Sequence, residues 1–378
     1  MDSRYAQLAK VLVGYSTKVS KNDRVLLQVD VNTPFPMLEA VVEEVRAAGG
    51  VMMSPMLSDV RLTALCMKGC THRQLAPDAA ALMMRVLAAD VRIAFRSFGN
   101  VMEMSGVPVA DSTLHNKEMS LSMDEAVENT RWILTSWPTP AFAQLAGMST
   151  KDFEDFFFCA VLADYPAMTE SVKPLVDLMN ATDQVHIIGP DTDLTFSIKG
   201  IGAVPCTGLR NIPDGEVYTA PVRGSINGHI HYNTTTITKS GQRFSGVRFV
   251  FKDGKIVEAT CDSGDPIAMQ LILDTDEGAR YVGEFALGIN WGVTQTIGDT
   301  LFDEKVGGSF HITPGKCYDH APNGNNSAIH WDIVCDQREQ HGGGEIHFDG
   351  QLVRKNGLFV PEELHGLNPK TTGKVEYI

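Results

Sequence analysis

The sequence has no apolar stretch of the roughly 20 residues that a bilayer-spanning helix needs; its longest apolar runs are short and broken by charge. The opening Met1-Asp2-Ser3-Arg4-Tyr5 has no basic stretch followed by an apolar one. That pattern would mark a secretory leader, so the expected setting is the cytoplasm, with no membrane partner. Internal repeats and low-complexity tracts are missing too. No Gly-x-Gly-x-x-Gly and no phosphate loop sits at a strand–helix junction, which removes the main support for a bound dinucleotide or nucleotide. Basic excess is absent: 32 Lys and Arg face 46 Asp and Glu, a formal net charge of −14. Phosphate backbones are held by basic faces, so nucleic acid is not expected as a partner, whereas cationic metals and substrates with a free amine suit this balance. A disulfide framework is not expected either. The seven cysteines (66, 70, 159, 206, 261, 317 and 335) are odd in number and scattered, and read as free thiols. Cys66 and Cys70 have no second Cys/His pair nearby to complete a four-ligand zinc site.

What is present is an ordinary globular composition, 43% hydrophobic and 21% charged, in a chain of 378 residues. That length exceeds a comfortable single core, so two domains are expected. The first half alternates. Helical spacing over 4–18, 35–48, 77–89, 123–129 and 151–162 is interleaved with strand-length apolar runs at 25–29, 51–56, 91–95 and 132–135. Such alternation is the pattern of a parallel sheet covered by helices. After about residue 183 the texture turns to short strands, at 185–189, 194–198, 230–238 and 246–252, divided by turns such as Gly189-Pro190-Asp191 and Asp253-Gly254, with one helix near 266–273. The expected fold is α/β, with an N-terminal parallel-sheet domain over residues 1–182 and a C-terminal β-rich α+β domain over 183–378 that carries a metal site.

The densest chemical clue is Asn326-Ser327-Ala328-Ile329-His330-Trp331-Asp332-Ile333-Val334. In a strand, residues two apart project from one face, so His330 and Asp332 would point the same way. A ring nitrogen beside a carboxylate oxygen is a pair that zinc or cobalt accepts, and also a pair that can simply hydrogen-bond to itself. Neighbouring segments weigh on the choice. Glu284 stands alone in the apolar run Val282-Gly283-Glu284-Phe285-Ala286-Leu287, where a carboxylate is costly unless paired or bound to a cation. Glu216 follows the turn Asn211-Ile212-Pro213-Asp214-Gly215 into another β run, and His311 and Tyr318 follow Thr300-Leu301-Phe302-Asp303-Glu304. Two such acids, a histidine and a His-x-Asp in one domain point to a shared metal site.

These segments, in this order, resemble the aminopeptidase T/aminopeptidase S family of metallopeptidases. The family reads Pro-x-x-Glu-Val-x-x-x-Pro, then Gly-Glu-x-Ala-Leu, then Thr-Leu-Phe-Asp-Glu leading to a His and a Tyr seven residues on, then His-Trp-Asp. The resemblance covers residues 180–360 well and the first half by general architecture. It implies metal ligands at Glu216, Glu284, His311, His330 and Asp332, with Glu284 and Tyr318 in catalysis. It also implies a homodimer acting on short peptides or amino-acid amides through two divalent ions (Zn, Co or Mn). Two ions about 3.5–4 Å apart would bridge a water, lower its pKa and polarise the scissile carbonyl, with Tyr318 donating to the oxyanion. Asp303 and Glu304 adjoin the site as supporting or general-base groups.

The chain departs from the family pattern in two places. Where many relatives read Asp-Glu-Asn-Ala and a helix-favouring run to the tyrosine, this chain has Lys305-Val306-Gly307-Gly308, and Pro314-Gly315 precedes Tyr318. A proline there makes the stretch from His311 to Tyr318 a strand and turn. His229-Ile230-His231 also places two rings on one strand face, as pocket wall or alternative ligands. The alternative function is a ring-cleaving 2,5-dihydroxypyridine dioxygenase, which shares the fold and binds a single Fe(II) through a two-His-one-carboxylate face. A non-catalytic metal-binding relative is the third reading.

Overall fold

The structure, a computed structural model, describes residues 2–238 and 241–370; residues 371–378 of the expected second domain lie outside them. The chain divides into two compact units, Met1–Leu162 with Gly208–Pro213, and Ala163–Thr207 with Asp214–Ile378. The division therefore falls at Leu162/Ala163 where composition suggested 182/183. The cause is packing. Helices Tyr165–Ser171 and Lys173–Ala181 continue the helical texture of the first half, but Val172, Leu175 and Met179 lie in the same apolar core as Leu364 and Leu367.

The first unit is a six-stranded parallel sheet in the order Val51–Met52, Arg24–Asp30, Val91–Arg96, Arg131–Ser136, Asn211–Ile212, with Met56–Ser58 also paired to Arg24–Asp30. Val25, Leu26, Leu27 and Val29 are all buried, as expected of a parallel strand covered on both faces. Helix Phe35–Ala47 buries Met37, Ala40, Val41 and Val45, one stripe at helical spacing, and Gly49 ends the run at φ +80. The expected strand 51–56 is broken in two, since Pro55 has no N–H to give a ladder. The expected helix at 123–129 begins much earlier, spanning Val109–Asn129. That expected over 4–18 is an α-helix only through Ser3–Lys10, after which Val11–Ser16 widens into a π-turn.

The second unit is β-rich. Its eight-stranded antiparallel sheet runs Lys255–Thr260, Arg248–Lys252, Asn227–His231, Thr192–Ser197, Gln184–Gly189, Glu345–Phe348, Gln351–Lys355, Leu358–Phe359. A five-stranded antiparallel sheet runs Val334–Asp336, Ser309–Pro314, Val282–Gly288, Glu216–Thr219, Val204–Cys206. One apolar core joins them. Ile187, Leu194, Phe196 and Phe249 from the larger sheet meet Val217, Phe285, Leu287, Phe310 and Ile312 from the smaller, and the Phe196 and Phe285 rings meet edge to face at 5.1 Å. Each such side chain contributes roughly 1.5–3 kcal/mol by leaving water. The expected helix appears at Pro266–Leu273, capped by Asp265. Among the described residues no helix is long and apolar enough to cross a membrane.

Arg354 ties the two sheets through a charge. It is fully buried, and its guanidinium donates to Ser309 O (2.6 Å), Gly288 O (2.8 Å) and Gly357 O (3.0 Å). Two of those carbonyls end or begin the central strands of the smaller sheet. Replacing it leaves buried acceptors unpaired, at about 1–3 kcal/mol each. Arg354→Leu is expected to lower unfolding stability by about 3 kcal/mol or more in denaturant titrations; a loss below about 1 kcal/mol would show that the carbonyls find other partners.

Candidate metal centre

Strands Val282–Gly288 and Ser309–Pro314 are buried along their whole length, yet their side chains still alternate in kind. One face is the apolar core. The other carries Glu216 and Tyr218 opposite Gly288 and Ala286, and His311 and Thr313 opposite Ala286 and Glu284. Glu216, Glu284, His311 and Thr313 are 4%, 3%, 0% and 0% exposed. A buried carboxylate is stable only if a cation or several donors face it, so this face is built around positive charge.

Small residues let the neighbouring chain lie against the strand. A Cβ on Gly288 would stand 2.3 Å from Val306 O and 3.1 Å from Glu304 O. Glycine at this place is what brings residues 304–306 onto the sheet. Asn290 N donates to Lys305 O and Gly307 N to Asn290 O, each at 3.0 Å, so the segment is fixed from both sides.

His330 and Asp332 arrive differently from the expected strand. Regular pairing resumes only at Val334–Asp336, and His330 makes one isolated bridge, to Gly315. The ladder fails because Pro314 lacks an N–H and Gly315 turns the chain at φ +111. The two side chains still face the same point. His330 Nε2 is 3.2 Å from Asp332 Oδ1 and 3.1 Å from Glu284 Oε2. His311 Nε2 is 3.4 Å from Glu284 Oε1 and 3.7 Å from Glu216 Oε2. Thr313 Oγ1 donates to Asp332 Oδ1 at 2.8 Å, and His330 Nδ1 meets Lys316 O at 2.8 Å, which leaves Nε2 turned inward.

This donor set fits a divalent ion. Nitrogen and oxygen ligands about 2.0–2.2 Å from a zinc-type ion lie about 3.3–3.6 Å from one another in a tetrahedron. Of the separations of 3.1, 3.2 and 3.4 Å, the last falls in that range and the other two lie just below it. His330 Nε2 and Glu216 Oε2 are also buried without a hydrogen-bond partner among the described residues.

All five expected ligands therefore come together. Tyr318 joins them, its ring centroid 4.8 Å from that of His330 and 5.4 Å from that of Tyr218. His229 and His231 do not: they lie on Asn227–His231 in the larger sheet, where His231 Nδ1 is 4.0 Å from Asp191 Oδ2. Asp303 accepts from Ile297 N (2.6 Å) and Gly298 N (2.9 Å), and so fixes a loop. Lys305 is the residue whose place the sequence did not disclose. It is 1% exposed, with Nζ 2.5 Å from Glu216 Oε1, 2.7 Å from Glu304 Oε1 and 3.7 Å from Asp214 Oδ1. Its signal was a cation where the family motif has a neutral residue. Beside the site, Thr234, Thr236, Thr300, Glu304 and Asp332 line a small polar cleft.

Residues 1–359 match the family described as thermophilic metalloprotease (M29). The chain belongs to that family. Aminopeptidase T of Thermus aquaticus is 34% identical over 203 residues, 47% of each chain. Aminopeptidase 2 of Geobacillus stearothermophilus is 27% identical over 272 residues, 61% of this chain and 63% of that one. The matched part thus spans between about half and just under two thirds of these curated relatives. The solved structure of wild-type AmpT from Thermus thermophilus shares the fold, with a TM-score of 0.81 at 21% identity over 95% of this chain and 99% of that one.

The electrostatics of this M29 centre give it a pH dependence. Burial opposes the charge on His311, but the hydrogen bond to Glu284 and the charges of Glu284, Glu216 and Asp332 outweigh it and push the imidazole up to about 9. Burial pushes Asp303 up to about 8, and Glu304, despite Lys305 beside it, also up to about 8. For Glu284 burial is outweighed by His311 and His330, which hold it below the usual range. Tyr318 is 45% exposed, and partial desolvation with the carboxylates of Glu284, Asp332, Glu304 and Glu216 pushes its phenol above the usual range. His311, Asp303 and Glu304 all hold protons more tightly folded than unfolded. Their stabilisation is therefore present at low pH and is lost as pH rises through about 8 for the acids and about 9 for His311. Metal-free protein held in chelator is expected to melt at progressively lower temperature from pH 6 to pH 9 in scanning calorimetry. A rising melting temperature over that window would contradict these environments.

Proposed function

We propose that the chain is a metal-dependent aminopeptidase, with Glu284, His311, His330 and Asp332 as the ligands of a divalent ion and Tyr318 as the oxyanion donor. The observation that carries this reading is the convergence of four nitrogen and oxygen donors near ligand-edge spacing, two on a buried sheet face and two from the segment beside it, in a chain of a metalloprotease family. The names of the matched relatives, all aminopeptidases, supply the substrate class. They give the dioxygenase reading no support.

Glu284, His311, His330 and Asp332 would hold the ion, which would supply a water of lowered pKa and a Lewis acid for the scissile carbonyl. The rest of the chemistry belongs to side chains. Glu284 has one oxygen toward each histidine and is held ionised by them, so it is the group placed to take the proton of the attacking water. Tyr318 keeps its proton in this environment and donates to the oxygen on which negative charge develops. Glu304 and Asp332 line the cleft at this centre, and a substrate's free α-amine would bind there or on the ion, which favours cleavage at the N-terminus. A second ion would also draw on Glu216, one of whose oxygens Lys305 already engages. A homodimer, implied by the resemblance, and a cytoplasmic setting complete the proposal.

The test is release of the N-terminal residue from dipeptides and amino-acid amides after chelation and re-supply of zinc, cobalt or manganese. Turnover is expected only with metal and only when the α-amine is free. Tyr318→Phe should lower kcat about 100- to 1000-fold, the usual loss for an oxyanion donor, with the metal retained. Equal cleavage of N-acetylated peptides, or full activity in chelator, would refute the assignment.

A further inference from the structure

Among the described residues, three groupings of side chains bring possible metal-ligand atoms together: Cys206, Asp214 and Glu216; Glu216, Glu304 and His311; and Glu284, His311 and Asp332. Lys305 lies against the first two. Its Nζ contacts Glu216 and Glu304 at hydrogen-bond distance, and Asp214 stands 3.7 Å away. Only the third grouping, which His330 extends, is clear of the ammonium.

We infer that Lys305 holds the position of a second cation, so that this centre takes one divalent ion, on Glu284, His311, His330 and Asp332, in place of the two that the family resemblance implies. The inference rests on the metallopeptidase reading and changes its stoichiometry.

Three features support it. An ammonium has three protons to donate and no acceptor, and here three carboxylates surround it. An ion ligated by Glu216 or Glu304 would have to share their charge with Nζ a few ångströms away, inside a buried site where like charges are poorly screened. Lys305 also has nowhere to withdraw. Its side chain is 1% exposed, its carbonyl accepts from Asn290 N, and its own N–H donates to Phe302 O. The next carbonyl, Val306 O, presses on Gly288 so closely that a Cβ there would stand 2.3 Å away. Glu216 then acts as a positioning residue. One oxygen is tied to Lys305, while the other faces His311 Nε2 at 3.7 Å and places negative charge beside the ring that binds the ion.

The experiment counts tightly bound metal per chain. Wild type, Lys305→Asn, Glu216→Gln and His330→Ala are each dialysed to equilibrium with zinc and, separately, cobalt, then measured by elemental analysis and native mass spectrometry. One equivalent is expected in wild type, a second in Lys305→Asn, one still in Glu216→Gln, and a loss of the tight equivalent in His330→Ala. Two tight equivalents in wild type, with one lost in Glu216→Gln, would overturn the role of Lys305 and leave the metallopeptidase reading intact. No tight metal in wild type would overturn both. If Lys305→Asn does not fold, the wild-type and Glu216→Gln counts still decide.

Discussion

The constraint on which the centre depends is a β-sheet buried on both faces, one of which carries charge. Strands Val282–Gly288 and Ser309–Pro314 alternate apolar and polar side chains as a half-exposed sheet would, but neither face meets water. Phe285, Leu287, Phe310 and Ile312 fix the register by filling the core. A slip of one residue would send them to the polar side and the carboxylates into the core, so the hydrophobic packing specifies where Glu284 and His311 stand to within one residue.

Once the acids are committed to a buried face, the surrounding chain must deliver positive charge to them. It does so in two ways. His311 and His330 close on Glu284 and Asp332, and these carboxylates, against the opposing effect of burial, make the imidazoles hold protons unusually tightly until a metal displaces them. Lys305 is brought in by a segment that can lie on the sheet only because position 288 is glycine. Arg354, from the larger sheet, holds the carbonyls of Gly288 and Ser309 that bound this face.

Much of this was legible in the sequence, because buried acids leave a mark. Glu284 in an apolar run is costly except around a cation, His330 two residues before Asp332 gains weight beside it, and the ordered segments matched a family. The parallel sheet of the first unit was readable from strand–helix alternation. The rest depends on long-range packing that local pattern does not encode. A lysine is read by default as exposed, so nothing local to Lys305 discloses that Glu216, far away in the chain, lies against its Nζ. Helices Tyr165–Ser171 and Lys173–Ala181 look like the helices before them and differ only in the core they join. Asn211–Ile212 is too short for periodicity, yet it returns to pair with Arg131–Ser136 in the first unit. The His330 segment has the alternation of a strand, and only Pro314 and Gly315 across from it explain why the ladder is broken.

The central claim is that this buried face is built to bind a cation at one defined set of donors. Diffraction at the zinc absorption edge, from crystals of the full chain grown with zinc, tests it most directly. One strong anomalous peak is expected within ligand distance of Glu284, His311, His330 and Asp332, with Lys305 Nζ between Glu216 and Glu304. A peak of similar height between Glu216 and Glu304, with the lysine displaced, would contradict it.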